Sequence, residues 1–181
     1  GFRGGNVLEG SAGIGNILGL MPADMSDRST IHAVEVDPTT GGILSLLYPD
    51  AKVDIQGFEK TRIPNGSVDL AITNVPFVTG LSVFDDTGDK DLSKKFHNIA
   101  DFCIAKNIRK LREGGIGIFI TSSGTMDDSK NLRVWITGEG NADVIGAFRM
   151  HNKTFGGTGA TSDIIVVRKR VGGRKSPYAI D

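Results

Sequence analysis

The stretch Val68-Asp69-Leu70-Ala71-Ile72-Thr73-Asn74-Val75-Pro76-Phe77 decides how this chain folds and where its site lies. Its first six residues form a short apolar run rich in branched side chains, which predicts a strand buried in a parallel sheet. The last four residues leave the carboxyl end of that strand, and open α/β sheets bind their ligands at this edge. We therefore predict a ligand site at Asn74-Val75-Pro76-Phe77.

The chemistry of these four residues suits a planar ring that carries an amine. Asn74 offers a side-chain carbonyl as an acceptor, and Pro76 biases Val75 towards an extended backbone. Phe77 adds a flat apolar face beside those acceptors. The alternative is a strand that simply stops at a proline, with Phe77 in the core, because short motifs also match by accident.

Composition limits the possible classes of protein. A chain of 181 residues, 39% hydrophobic and 23% charged, fits one globular domain with its own core. No apolar run is long enough to span a bilayer, and no signal peptide opens the chain. Cys103 is the only cysteine, so we expect a reducing cytoplasm and a core position for this residue.

The charge and the histidine content predict neither a metal site nor strong binding of nucleic acid by this segment alone. The three histidines are scattered without ligand spacing. The formal net charge is zero, whereas binding to a phosphate backbone needs a basic face.

A glycine-rich turn follows the first predicted strand, Asn6 to Glu9. The segment Gly10-Ser11-Ala12-Gly13-Ile14-Gly15 leads into an apolar helical stretch that reaches Met21. Strand, glycine-rich turn and helix form the nucleotide-binding turn of doubly wound folds, although tight turns without ligands use the same residues.

The second predicted strand, Ile31 to Val36, ends at two acids. An acid about 20 residues beyond a glycine turn is placed to accept hydrogen bonds from ribose hydroxyls. Asp37 precedes Pro38 and a predicted helix, so we expect it to cap that helix. Glu35 ends a buried strand and needs a partner, which makes it the predicted ribose ligand.

The remaining pattern completes an α/β chain. We predict a third strand at Lys52 to Gln56, with Phe58 either in an adenine pocket or in the core. One amphipathic helix is expected from Asp91 to a stop at Gly114-Gly115. The other predicted elements are a strand at 116–121, a helix at 128–137, an antiparallel pair at 144–148 and 164–167, and a frayed basic tail at 168–175.

Five strands that alternate with helices, followed by an antiparallel pair, resemble the class I S-adenosylmethionine-dependent methyltransferases. The resemblance implies a Rossmann-like, doubly wound sheet of seven strands with a C-terminal antiparallel hairpin. Within that fold the motifs resemble the DNA methyltransferases that modify the N6 amine of adenine. Asn74-Val75-Pro76-Phe77 is similar to their catalytic Asp/Asn-Pro-Pro-Tyr/Phe signature, with Val75 in place of the first proline.

The resemblance also implies S-adenosylmethionine as the cofactor and supplies the residues that hold it. The stretch from Glu9 to Gly15 is similar to the cofactor loop, which usually has proline at the position of Gly10. Glu35 occupies the ribose-binding position and Val36 the position that packs on the cofactor adenine. The predicted cofactor residues are Glu9, Ser11, Ala12, Gly13, Gly15, Glu35, Val36, Gln56, Phe58 and Asn74.

Base binding and the wider architecture follow from the same resemblance. Phe155 matches an aromatic residue that packs, with Phe77, against the extruded base. The stretch from Phe155 to Arg170 is similar to methylase domains carried with helicases on phages and mobile elements. An upstream segment and a target-recognition domain of the family have no counterpart here. We therefore expect residues 1–181 to be a single methyltransferase domain from a longer chain.

The chain departs from the family pattern after the third strand. The acid that commonly holds the cofactor adenine is replaced by Gln56-Gly57-Phe58. We assign Gln56 and Phe58 to that part of the cofactor site.

The expected function is therefore methyl transfer from S-adenosylmethionine to adenine in DNA, by a cytoplasmic enzyme of the restriction-modification kind. DNA is the expected partner, and neither a metal nor a membrane is expected. One alternative is methylation of protein glutamine or of RNA guanine amines, which uses the same class of motif. Another is a non-catalytic methyltransferase-like domain within a larger polypeptide.

Overall fold

A computed structural model describes residues 2–77, 88–151 and 161–180. The strands are β1 Asn6–Glu9, β2 Thr30–Glu35, β3 Lys52–Ile55, β4 Val68–Asn74, β5 Leu111–Ser122, β6 Ala142–Arg149 and β7 Ser162–Lys169. They form one seven-stranded sheet in the order β3-β2-β1-β4-β5-β7-β6. Within it β7 runs antiparallel to both of its neighbours, while the pairs among the first five strands are parallel. The predicted doubly wound sheet with a C-terminal antiparallel hairpin is confirmed.

Helices cover both faces of the sheet. They are α1 Asn16–Gly19, α2 Ala23–Ser26, α3 Pro38–Leu47, α4 Lys90–Lys95, α5 Ile99–Lys110, α6 Ser123–Asp127 and α7 Lys130–Thr137, with a 3-10 helix at Phe58–Lys60. Successive strand residues point to opposite faces, so the sheet divides the core into two apolar clusters. The larger cluster packs α5 and α7 on β4, β5 and β7. The smaller packs α1 and α3 on β1 and β2.

The region after Asp89 differs from the expectation of one long helix, which was wrong. Two helices occur there, because the Asn98 side chain accepts a hydrogen bond from the Ala100 N–H at 2.8 Å and starts α5 afresh. Phe96 leaves the first helix and packs edge-on against Trp135, with ring centroids 5.7 Å apart. The helix α5 then ends at Lys110, and β5 begins at the next residue, so the predicted glycine stop lies inside a strand.

The basic tail after β7 is anchored, so the expectation of fraying was also wrong. The Arg170 guanidinium donates to both carboxylate oxygens of Asp143, at 2.6 to 3.1 Å. The Ser176 N–H donates to the same carboxylate at 2.7 Å, and the Ile180 N–H donates to the Val144 carbonyl at 2.8 Å. Asp143 is 1% exposed, and a buried carboxylate needs such partners. The tail therefore lies beside β6.

We expect Asp143→Asn to lower the free energy of unfolding by about 2–4 kcal/mol, because the half-buried Arg170 loses its counter-charge. Urea unfolding near neutral pH measures this loss. Pairing with Arg170 lowers the pKa of Asp143. The stabilisation is thus present above the ordinary carboxyl range and disappears as the pH falls through the lowered pKa.

The exposed pair between Asp24 and Arg28 provides the matched control. Asp24→Asn should change stability by less than about 1 kcal/mol. Equal effects of the two substitutions would show that Asp143 does not anchor the tail.

Candidate functional site

The ends of three neighbouring strands meet at one edge of the sheet. The strand β1 lies between β2 and β4, with Glu9 level with Ala33 and Leu8 level with Ala71. Glu35 and Asn74 therefore each extend two residues beyond the level of Glu9. They flank the glycine-rich turn on either side, about 10 Å apart across the sheet. The strand order reverses direction between β1 and β4, which is where doubly wound sheets bind ligands.

The Glu35 carboxylate joins the turns that follow β1 and β2. Its Oε2 accepts a hydrogen bond from the Gly13 N–H at 2.8 Å, and its Oε1 accepts one from the Asp37 N–H at 2.9 Å. Each oxygen can accept a further bond. The sequence predicted this residue as a ligand without a structural role, and the structure adds such a role. Asp37 also caps α3, as predicted, by accepting from the Thr40 N–H at 2.7 Å.

The glycine-rich turn packs against two aromatic residues, Tyr48 and Phe58. Gly15 has a φ of 87°, and a β-carbon there would lie 2.3 Å from the Tyr48 ring. The Tyr48 hydroxyl donates to the Gly15 carbonyl at 2.8 Å. At Gly10 a β-carbon would lie 3.2 Å from both the Phe58 ring and the Asn107 amide nitrogen, which is a tight contact. A side chain at this position would therefore require the Phe58 ring or the Asn107 amide to shift by a few tenths of an ångström.

Glu9 is a buried acid beneath this turn. It is 1% exposed, and its Oε2 has no hydrogen-bond partner among the described residues. Burial raises the pKa of Glu9 to about 8, so the carboxyl group is mostly neutral at pH 7. A cationic group brought to this oxygen would favour the ionised form.

Three further buried polar atoms without partners among the described residues are Thr73 Oγ1, Asn107 Oδ1 and Trp135 Nε1. Thr73 precedes Asn74 on β4, and the Asn107 amide approaches Gly10 from α5. Asn107 was not predicted as a site residue, because an asparagine within an amphipathic helix carries no distinct signal in the sequence. Its Nδ2 donates to the Cys103 carbonyl at 2.9 Å, which fixes the amide behind the turn.

Asn74 and Phe77 are exposed at the end of β4, whereas Val75 is buried. The Val75 N–H donates to the Ile120 carbonyl at 2.9 Å and continues the pairing with β5. Phe77 is 49% exposed, which argues against the alternative that it is a core residue. Pro76 between them is half-buried.

The other predicted cofactor residues take varied positions. Val36 is 68% exposed beside the turn, Ser11 is half-buried, and Ala12 is buried with its N–H bonded to the Val34 carbonyl at 2.9 Å. Phe58 is buried in the core under Gly10.

The last predicted cofactor residue, Gln56, and the predicted base-stacking residue Phe155 lie away from this turn or outside the described ranges. Gln56 is half-buried and lines a cavity of about 280 Å³ together with His32. Phe155 lies outside the described residues.

Other expectations concern metals, membranes and the single cysteine. Among residues 2–77, 88–151 and 161–180, no group of three or more acidic, histidine or cysteine side chains could hold a metal ion. None of the helices in those ranges is long and apolar enough to cross a membrane. Cys103 is in the core, as predicted, and burial raises the pKa of its thiol to about 12.

Comparison with known proteins finds relatives in sequence and in structure. No protein-family profile matches the chain. The chain is 28% identical over 172 residues to the Defense against restriction protein B of Escherichia phage P1. That alignment covers 91% of this chain and 7% of the phage protein.

Solved structures resemble the whole described fold. A protein from Listeria monocytogenes assigned to the class I S-adenosylmethionine-dependent methyltransferases superposes with a TM-score of 0.73 at 16% identity, covering 98% of this chain and 57% of that one. The M protein of the type I restriction enzyme EcoKI superposes with a TM-score of 0.59 at 18% identity, covering 90% of this chain and 39% of that one. This chain thus spans just over half of the Listeria protein and less than half of the EcoKI M protein. Together with the strand order, these superpositions show that the chain has the class I methyltransferase fold.

Proposed function

We propose that this chain binds S-adenosylmethionine and transfers its methyl group to the exocyclic amine of adenine in DNA. The observation that carries the proposal is the meeting of Glu35, the glycine-rich turn over Glu9, and Asn74 at one edge of the sheet. The fold shared with the EcoKI M protein supports the DNA substrate, as does the similarity to a phage protein named for defence against restriction.

The residues present fit the cofactor. The Glu35 oxygens keep acceptor capacity for ribose hydroxyls after binding two backbone N–H groups. The unpartnered oxygen of Glu9 suits the ammonium group of the methionine moiety. Val36 offers an exposed apolar surface to the cofactor adenine. When bound, the cofactor supplies an electrophilic methyl group on a sulfonium sulfur.

Asn74 and Val75 would act on the target amine. The lone pair of this amine is delocalised into the adenine ring, which makes it a poor nucleophile. The Asn74 side-chain carbonyl and the Val75 backbone carbonyl would accept its hydrogens and stabilise the positive charge that develops during transfer. After transfer, the charged amine is acidic and loses its proton to water.

The target base must leave the duplex to reach this edge of the sheet. The exposed ring of Phe77 would stack on it, a contact worth about 1–3 kcal/mol. We assign the opposite face of the base to Phe155.

The first prediction is that Glu35→Gln weakens binding of S-adenosylhomocysteine by about tenfold to a hundredfold, measured by calorimetry. The amide has one acceptor oxygen in place of two, so either Gly13 or Asp37 loses its partner. We therefore also expect the free energy of unfolding to fall by about 1–2 kcal/mol, with the fold retained. Glu139→Gln, at an exposed acid paired with Lys95, is the control. Unchanged cofactor affinity in Glu35→Gln would remove this residue from the site.

The second prediction concerns proton release at Glu9. Because its pKa is about 8 without cofactor, contact with an ammonium group should ionise it, and binding near pH 7 should release close to one proton. Affinity should then rise with pH from 6 to 7.5. Calorimetry in two buffers with different ionisation enthalpies counts the protons. In Glu9→Gln we expect neither the release nor the pH dependence, and equal release in both proteins would contradict the contact.

The third prediction separates catalysis from folding. Asn74 is exposed and makes no side-chain hydrogen bond within the described ranges, so Asn74→Ala should unfold at the wild-type urea concentration. Its methyl transfer to DNA should fall by about two to three orders of magnitude, with near-normal cofactor affinity. Asn74→Asp should keep more activity, because a carboxylate still accepts from the amine.

Asn131→Ala, at an exposed asparagine on α7, controls for the loss of a surface amide. Wild-type turnover in Asn74→Ala would refute the proposed mechanism. Parallel loss of stability and turnover would indicate that Asn74 is structural.

A further inference from the structure

Two neighbouring cavities lie at the amino ends of the parallel strands, opposite the carboxyl ends where Asn74 lies. One, of about 690 Å³, is formed by the start of β5 and the anchored tail. The other, of about 490 Å³, lies against the starts of β1, β4 and β5. Arg168 lines both, and we name the two cavities together the basal groove. Asp69 in its wall is five residues before Asn74 on β4, about 17 Å away.

The basal groove concentrates positive charge on a chain with no net charge. Its lining includes two carboxylates, Asp69 and Glu113. The basic residues in its lining are a third of the chain's 21 lysines and arginines, namely Arg3, Arg112, Arg168, Lys169, Arg170, Arg174 and Lys175. The neutral total therefore conceals a strongly basic surface at this end of the sheet.

Some of these cations are held by the protein and others face outward. Arg112 pairs with Asp69, Arg170 pairs with Asp143, and the Lys169 ammonium donates to the Gly140 carbonyl at 2.7 Å. By contrast, the side chains of Arg3, Arg168 and Arg174 have no hydrogen-bond or ion-pair partner among the described residues. Arg3 and Arg174 are exposed and Arg168 is half-buried. Guanidinium groups of this kind bind phosphates through paired N–H donors.

Aromatic side chains line the same groove. Tyr178 is 67% exposed and Phe2 is half-buried, and both line the cavity that contains Arg3. The bond from the Ile180 N–H to the Val144 carbonyl holds the chain next to Tyr178 against β6. Single-stranded nucleic acid is bound by cations along its backbone and by aromatic faces on which its bases stack. An acidic polypeptide would use the cations but would gain little from an exposed tyrosine ring.

We infer that the basal groove binds a single strand of nucleic acid, through Arg3, Arg168 and Arg174 to phosphates and through Tyr178 to a base. This contact is separate from the base that the proposed reaction would place at Asn74. It does not rest on the proposed methyl transfer, since it needs neither the cofactor nor the catalytic edge.

Fluorescence anisotropy of a labelled 15-nucleotide oligo-dT strand, with the 181-residue chain and no cofactor, tests the inference. The double substitution Arg3→Glu with Arg174→Glu should weaken binding at least about tenfold at low salt. It should also reduce the slope of log affinity against log salt by about 1.4, which corresponds to two phosphate contacts. Lys52→Glu with Lys60→Glu makes the same change of charge at exposed positions near the β3 edge, and should weaken binding less than about twofold.

Variants of Tyr178 distinguish nucleic acid from an acidic polypeptide as the ligand of the basal groove. Tyr178→Ala should weaken oligo-dT binding at least about fivefold, while Tyr178→Phe should keep it. Polyglutamate should compete poorly with the strand. Equal losses in the two double variants would overturn the inference. So would an unchanged Tyr178→Ala together with polyglutamate binding as tight as oligo-dT, a result that would assign the groove to an acidic polypeptide.

Discussion

The geometry of the candidate site depends on one carboxylate that accepts from two backbone N–H groups. Glu35 links the turn after β1, through Gly13, to the turn after β2, through Asp37. The Ala12 N–H also donates to the Val34 carbonyl at 2.9 Å, so the turn after β1 is tied to the strand β2 as well. The charge-assisted bonds to Glu35 are stronger than neutral ones, so they add to the packing of Tyr48 and Phe58 in fixing a segment rich in glycine. A ligand that bonds to Glu35 would meet an acceptor that is already held in place.

A second constraint lies beneath the same turn. Glu9 is buried without a partner for one oxygen, and its raised pKa shows that the free protein keeps it mostly neutral at pH 7. Leaving such a group unpaired costs stability, and sites that bind charged ligands commonly accept this cost. Asn107 and Thr73 add buried polar atoms without partners close by. Three of the four buried polar atoms without partners among the described residues therefore belong to the end of β1, the end of β4 and the helix behind the glycine-rich turn, while the fourth, Trp135 Nε1, lies on α7.

The sequence predicted the elements whose signals are local. Apolar runs such as 68–73 identified the strands, and the pair Asp37-Pro38 identified the start of α3. It failed where a distant contact decides the outcome. Phe96 leaves its helix because Trp135 receives it, and the tail is anchored because Asp143 is buried beside it. Net charge does not reveal that basic side chains gather in the basal groove. The partners of Glu35 are backbone N–H groups, which no residue pattern identifies.

Analysis of the methylated product tests the proposal that the carboxyl end of this sheet methylates adenine in DNA. The protein is incubated with S-adenosylmethionine carrying a labelled methyl group and with unmethylated DNA, in parallel with RNA and with a glutamine-containing peptide. The acceptors are then digested and analysed by mass spectrometry. We predict label in N6-methyldeoxyadenosine from the DNA. Label in cytosine, in RNA or in the peptide would contradict it, as would absence of label from protein shown by calorimetry to bind the cofactor.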